Sequence, residues 1–201
     1  MMTMPRRADI SDKVIHFTRG ATYEDALGIL LTIVGEGRLS GGTGMIRGGY
    51  RCVCFTEAPL PAIAGSFVNA ETFTRYSPFG VMFDKSWVYA QGGRPVIYQP
   101  DTDFNKLTED MRWRHVRYDP AGTPPVDFTW EREWRIPCER LQFSPAEAVL
   151  VVPDEEWESF ILGIWDSQQQ LEVEAYSALF EQIIVEQLQE PFPWRVVRLA
   201  Q

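Results

Sequence analysis

The stretch Trp130-Glu131-Arg132-Glu133-Trp134-Arg135-Ile136 gathers the side chains best suited to chemistry. Read as a strand it alternates, so Glu131, Glu133 and Arg135 share one face while Trp130, Arg132, Trp134 and Ile136 share the other. Two carboxylates about 7 Å apart, with a guanidinium beyond them, can divide a task. The arginine keeps one ionised to stabilise a developing cation, and the like charge makes the other the better proton acceptor. The plainer reading of the same pattern is a solvated strand face with a surface ion pair.

His16-Phe17-Thr18 offers a second group, with His16 and Thr18 on one side of a first strand, where a ring nitrogen and a hydroxyl would bind ribose hydroxyls or orient a phosphate. A satisfied core histidine is the competing reading. Thr56 and Glu57 end another strand and suit a pocket rim, and Tyr76 in Arg75-Tyr76-Ser77-Pro78-Phe79-Gly80 adds an aromatic hydroxyl that could stack on a planar ring. Cys52 and Cys54 point two thiols one way, as a buried strand would. With one usable histidine and no second ligand at metal spacing, a zinc site is not expected. Arg112, Arg114, His115 and Arg117 beside Trp113 and Tyr118 mix cations with aromatics, the composition that tracks nucleic-acid backbones; a charged loop is the alternative.

These groups need elements to carry them. Val14 to Phe17 reads as a strand, and Thr22 with Asp25 resembles a capping box opening a helix to about Glu36, with Ala26, Leu27, Leu30, Leu31 and Val34 inward. Gly35 and Gly37 end it, and the Gly-rich run from Ser40 to Gly49 reads as a loop or lid. Strands are predicted over 51–56, then over 80–83 and 95–98 joined across Gly92-Gly93, then over 129–137, 148–152 and 194–199, with a helix over 101–117. Asp154 caps a helix through Ile164, and a longer helix follows to about Gln189, with Leu171, Tyr176, Leu179, Phe180, Ile183 and Leu188 inward. Short strands without regular helical crossovers predict a mixed or antiparallel α+β fold rather than a doubly wound parallel sheet.

The 201 residues suit one domain, and a hydrophobic fraction of 45% argues against a disordered chain. No apolar stretch approaches the ~18–20 residues that cross a bilayer, and no secretory leader is visible, so no membrane partner and a cytoplasmic location are expected. Three cysteines cannot form a disulfide framework. Walker loop, Rossmann fingerprint and nucleophile elbow are all absent, which removes those nucleotide-binding and hydrolase classes. The charge of −9 is local, because residues 154–190 hold ten acids and neither Lys nor Arg.

Taken in order, His16-Phe17-Thr18, the helix with its Gly-rich loop, Cys54-Phe55-Thr56-Glu57, Tyr76-Ser77-Pro78-Phe79-Gly80 and Glu131-Arg132-Glu133-Trp134-Arg135 resemble the bacterial AbiGi-type abortive-phage-resistance proteins. These are similar in turn to the DarT-type branch of the ADP-ribosyltransferase superfamily. The resemblance covers about residues 13–153 and leaves the acidic helices of 154–190 and the closing strand of 194–199 without a counterpart. It implies a split β-sheet core with flanking helices, NAD as co-substrate without a metal, and transfer of ADP-ribose to a nucleic-acid or protein acceptor in phage defence or a toxin-antitoxin pair. By position in that pattern, Glu133 would be catalytic and Glu131 would help activate the acceptor. His16 and Thr18 would contact the NAD ribose, Thr56 or Tyr76 would support nicotinamide, and Arg47 or Arg51 would grip the pyrophosphate. The alternative from another class is a non-catalytic antitoxin or partner-binding module of the same fold. A nuclease or glycohydrolase using the same glutamates is a third reading.

Overall fold

The computed structural model describes residues 10–61, 63, 76–177 and 189–199. Its elements are mixed α and β. Strand β1 (Lys13–Phe17) leads to helix α1 (Tyr23–Glu36). Thr22 closes the start of α1 as the sequence predicts: its hydroxyl accepts from the Asp25 amide at 3.1 Å, and the Asp25 carboxylate accepts from the Thr22 amide at 3.2 Å. Gly37 ends the helix at φ +59°, a left-handed turn that glycine takes without a Cβ penalty. Ala26, Leu27 and Leu30 are buried, with Leu31 and Val34 packed at the margin of the core.

A seven-stranded sheet follows the order β11-β10-β4-β1-β3-β8-β5, using β3 (Cys52–Thr56), β4 (Gly80–Asp84), β5 (Arg94–Pro95), β8 (Glu133–Pro137), β10 (Ala148–Val152) and β11 (Arg195–Arg198). All neighbours are antiparallel except β10 and β11. The sheet is narrowest in its middle. β1 meets β4 over five register pairs and β3 meets β8 over five, but β1 meets β3 only at Ile15 and Thr56. Val14, Val53, Phe55, Phe79, Phe83 and Ile136 belong to the main core beside α1, while Ile15, Phe17, Met82 and Val151 form a second apolar cluster.

Several predicted elements are redrawn. β2 (Arg38–Ser40) pairs with β9 (Arg140–Gln142), burying Leu39 against Leu141, and neither strand is expected from so short a pattern. The segments 80–83 and 95–98 are not joined across the glycines. Helix α2 (Lys85–Ala90) intervenes, stacking Trp87 on Phe83 at 5.0 Å and burying Val88, and Gly92 at φ +90° follows its end. Residues 101–117 hold two 3₁₀ segments, Asp101–Lys106 and Glu109–Arg114, before β7 (His115–Arg117) runs parallel to β6 (Ile97–Gln99). After β10, the Asp154 carboxylate accepts from the amides of Glu156 and Trp157, opening one unbroken helix, α3 (Glu155–Ser177), rather than a helix ending at Ile164. Leu171 and Tyr176 are 64% and 50% exposed, against the inward expectation, because Ile161 and Val173 take the buried side. Leu179, Phe180, Ile183, Leu188 and Arg75 lie outside the described residues.

Candidate active site at the narrow centre of the sheet

A sheet that holds together at a single register pair leaves backbone groups unladdered on either side of it, and those groups need other partners. His16 supplies one. Its Nδ1 lies 2.8 Å from the Cys54 carbonyl, and since a carbonyl only accepts, Nδ1 carries the proton and the neutral ring keeps Nε2 as an acceptor. The edge-on contact with Phe55, at 6.1 Å between ring centres, fixes the ring plane. Desolvation lowers the pKa of His16, with Arg19 adding to the fall and the hydrogen bond opposing it.

Beside this junction lies a cleft of about 350 Å³ whose lining includes His16, Thr18, Thr56, Tyr76, Glu133 and Arg135. Antiparallel register sets Thr56 opposite Glu133 and Cys54 opposite Arg135, so these four side chains share one face of β3 and β8. Thr18 is buried and its hydroxyl donates to the Phe79 carbonyl at 3.0 Å, which commits its proton to the fold. Thr56 is committed likewise, donating to the Glu131 carbonyl at 2.5 Å.

The two glutamates do not share a strand face. Thr129–Glu131 forms a 3₁₀ turn, started by Asp127 accepting from the Thr129 amide and hydroxyl, and Arg132 sits at φ +46° before β8 begins at Glu133. A left-handed residue between them breaks the two-residue alternation on which the strand reading rests. Glu131 is instead buried at 3% exposure, its Oε2 accepting from the Tyr76 hydroxyl at 2.9 Å. Glu133 is gripped by both oxygens: Arg135 Nε meets Oε1 at 2.8 Å and Nη2 meets Oε2 at 3.2 Å. Arg135 is buried, and its Nη1 donates to the carbonyls of Trp113 and His115 at 2.9 and 3.0 Å. Burial alone would lower the guanidinium pKa, but Glu133 reverses the sign and raises it. The Glu133 amide donates to the Tyr98 hydroxyl at 3.0 Å, and burial together with the adjacent carboxylates pushes that phenol up to about 12.

A second cleft, about 640 Å³, shares Glu133 and Arg135 with the first and is lined also by Glu131, Arg47, Arg117, His115 and Phe128. Met45 and Ile46 of the Gly-rich loop line both clefts, as do Glu133 and Arg135. Met45 takes φ +58° although it is not glycine, a conformation the turn imposes on it. Both carboxylates therefore border the second cleft, while the first contains Glu133 alone of the two.

The remaining candidates scatter. Arg47 reaches the second cleft but is paired with Asp101 at 2.9 Å and lies over the Phe104 ring at 4.6 Å. Arg51 lines neither cleft and donates to the Gly41 carbonyl at 3.3 Å. Arg112 and Arg114 donate to the carbonyls of Leu107 and Pro95, whereas Arg117 pairs with Asp119 at 3.0 Å, so the three guanidinium groups have separate partners. Glu57 is absent from the lining of either cleft, accepting instead from Lys85 and from the Trp134 indole, both at 2.7 Å. The Cys54 thiol, read from sequence as part of a buried strand, has its pKa raised by burial and by Glu133. Residues the sequence did not single out include Tyr98 and the backbone anchors of Arg135. None of these carries a local sequence signal, because each depends on pairing across distant strands.

Chemically, the arrangement offers a preorganised carboxylate, a neutral imidazole acceptor at the same cleft, and a second carboxylate one turn away. Among the described residues no group of three or more His, Cys, Asp and Glu is disposed to hold a metal ion, and no helix is long and apolar enough to cross a membrane. No family model matches the chain, no curated protein matches it, and no solved structure matches it.

Proposed function

We propose that this protein cleaves NAD at its nicotinamide–ribose bond and transfers the ADP-ribose to a nucleic-acid or protein acceptor. The carrying observation is that His16 of β1 and Glu133 of β8, remote in sequence, line the same cleft where the sheet narrows. In this reading Glu133 accepts from the ribose 2′-hydroxyl. That contact strengthens as the glycosidic bond breaks, nicotinamide leaves with the bonding pair and positive charge spreads over the sugar. Arg135 holds the carboxylate in one orientation through both oxygens, so little reorganisation is needed at the transition state. Nε2 of His16 accepts from a ribose hydroxyl. The acceptor enters from the second cleft, attacks the anomeric carbon with a lone pair and loses its proton to Glu131. The Gly-rich loop bearing Met45 lines both clefts. The resemblance to AbiGi-type and DarT-type proteins supports this chemistry and a role as a phage-defence or toxin-antitoxin effector.

Incubating the full chain with biotinylated NAD and lysate tests the reading. A labelled acceptor that disappears in Glu133→Gln, with a rate loss of about 10²–10³-fold, is the expected result. Release of nicotinamide without label would mean hydrolysis instead of transfer. If NAD is neither bound nor consumed, the enzyme reading falls.

A further inference from the structure

Helix α3 has two unlike sides. One is met by the returning chain: Trp165 donates to the Glu190 carbonyl at 2.9 Å and packs on Phe192, and Gln169 accepts from the Glu190 amide. The other carries Phe160, Gly163, Ile164, Ser167 and Leu171, spaced by three and four residues and hence one continuous stripe. Phe160 and Leu171 are 55% and 64% exposed. Between them lies an open notch of about 480 Å³.

The notch is largely apolar, Ser159, Ser167 and Gln168 being its polar lining residues. Ser167 spends its hydroxyl on the Gly163 carbonyl at 2.7 Å. Gly163 sits mid-helix, where glycine is a poor helix former, yet a Cβ built there meets nothing within 4 Å. Among the described residues no contact requires its small size, so the space above it suits an incoming chain. Charge narrows the choice of occupant. Glu155, Glu156, Glu158, Asp166, Glu172 and Glu174 all lie on α3, which has neither Lys nor Arg, and among the described residues Arg198 is the one cation in an ion pair with any of them, meeting Glu155 and Glu158. Glu156, four residues before Phe160, and Glu174, three after Leu171, extend the stripe at its two ends, so a second copy would set acid against acid, whereas a basic amphipathic helix would bring apolar anchors to the stripe and cations to those two carboxylates.

The geometry points to the outer stripe of α3 as a docking surface for a basic amphipathic helix of another protein, seated over Gly163 between Phe160 and Leu171. This surface is independent of the NAD reading, since none of its residues lines either cleft.

Fluorescence anisotropy on the full chain tests it with a labelled peptide of repeated Leu-Lys-Lys-Leu-Leu-Lys-Leu heptads, against the same peptide with Glu in place of Lys. The Lys peptide binds, raised salt weakens it, and the Glu peptide binds at least about tenfold more weakly. Gly163→Leu fills the notch without altering charge and lowers affinity about tenfold or more, with far-UV circular dichroism retained and Tm equal or higher, since leucine is the better helix former. Gly163→Ala, a smaller filling, is the second variant should the first lose its fold, and it weakens binding less. Equal affinity in wild type and both variants would reduce the effect to general attraction by an acidic protein and overturn the proposal. So would sedimentation as a dimer that Leu171→Lys disperses, because a second copy would then own the stripe.

Discussion

Arg135 embraces Glu133 through both carboxylate oxygens while standing only two residues away on the same strand, and its remaining nitrogen reaches the carbonyls of Trp113 and His115. The candidate catalytic group is therefore also part of a buried charge pair. Glu133→Gln leaves a guanidinium of 4% exposure without its counter-charge. A loss of about 3 kcal/mol in unfolding free energy is predicted from urea titration. The double change Glu133→Gln with Arg135→Met recovers part of it, since no uncompensated charge remains, although two carbonyls lose their donor. A single variant as stable as wild type would mean that the pair contributes nothing.

How far the sequence spoke depended on the range of each interaction. The Thr22–Asp25 box, the stripe of α1 and the runs Cys52–Thr56 and Ala148–Val152 were legible because their signals lie within one turn or one strand. Trp130 to Ile136 alternates convincingly, but Asp127 and the left-handed Arg132 override the alternation. Nothing local announces that a turn residue will be followed by a positive φ without glycine. His16 and Glu133 were identifiable by type and order. Their meeting at one cleft depends on β1 and β3 touching at a single pair, which no window of sequence encodes.

Tyr76 and Glu131 make a second such dependence. The hydrogen bond at 2.9 Å ties the segment before β4 to a carboxylate of 3% exposure. Tyr76→Phe keeps the ring beside Phe17 and removes only the donor, so it should cost about 1.5–3 kcal/mol, the usual value of a bond to a charged group. A urea midpoint unchanged from wild type would mean that Glu131 does not rely on this phenol.

The thiols give a prediction of opposite character, an expected lack of reactivity. Burial raises the pKa of Cys52 to about 11 and raises Cys54 further, with Glu133 adding to both; burial raises Cys138 as well. At pH 8 a thiol at that level holds roughly a hundredfold less thiolate than an unperturbed one. Labelling of Cys52 and Cys54 by a disulfide reagent should accordingly be about a hundredfold or more slower in the native protein than in urea, with Cys138 slowed as well. Cys52 or Cys54 reacting at the unfolded rate would show that the cleft wall opens at β3.

Acid should weaken the fold through its two histidines. Desolvation lowers the pKa of His16 and of His115 below the ordinary value of 6.5, so the unfolded chain binds protons that the folded chain refuses. Stability then rises with pH wherever the unfolded state holds more protons. The contribution is complete above about pH 6.5 and is lost as pH falls from there through the folded values. Chemical unfolding at pH 7.5, 6.5 and 5.5, as round settings, should show a decline confined to the lower interval. His16→Asn should flatten it in part, leaving His115 to supply the rest. A wild-type profile flat across that window would mean that both rings take up protons as freely folded as unfolded, and with that the neutral acceptor assigned to His16 would be lost.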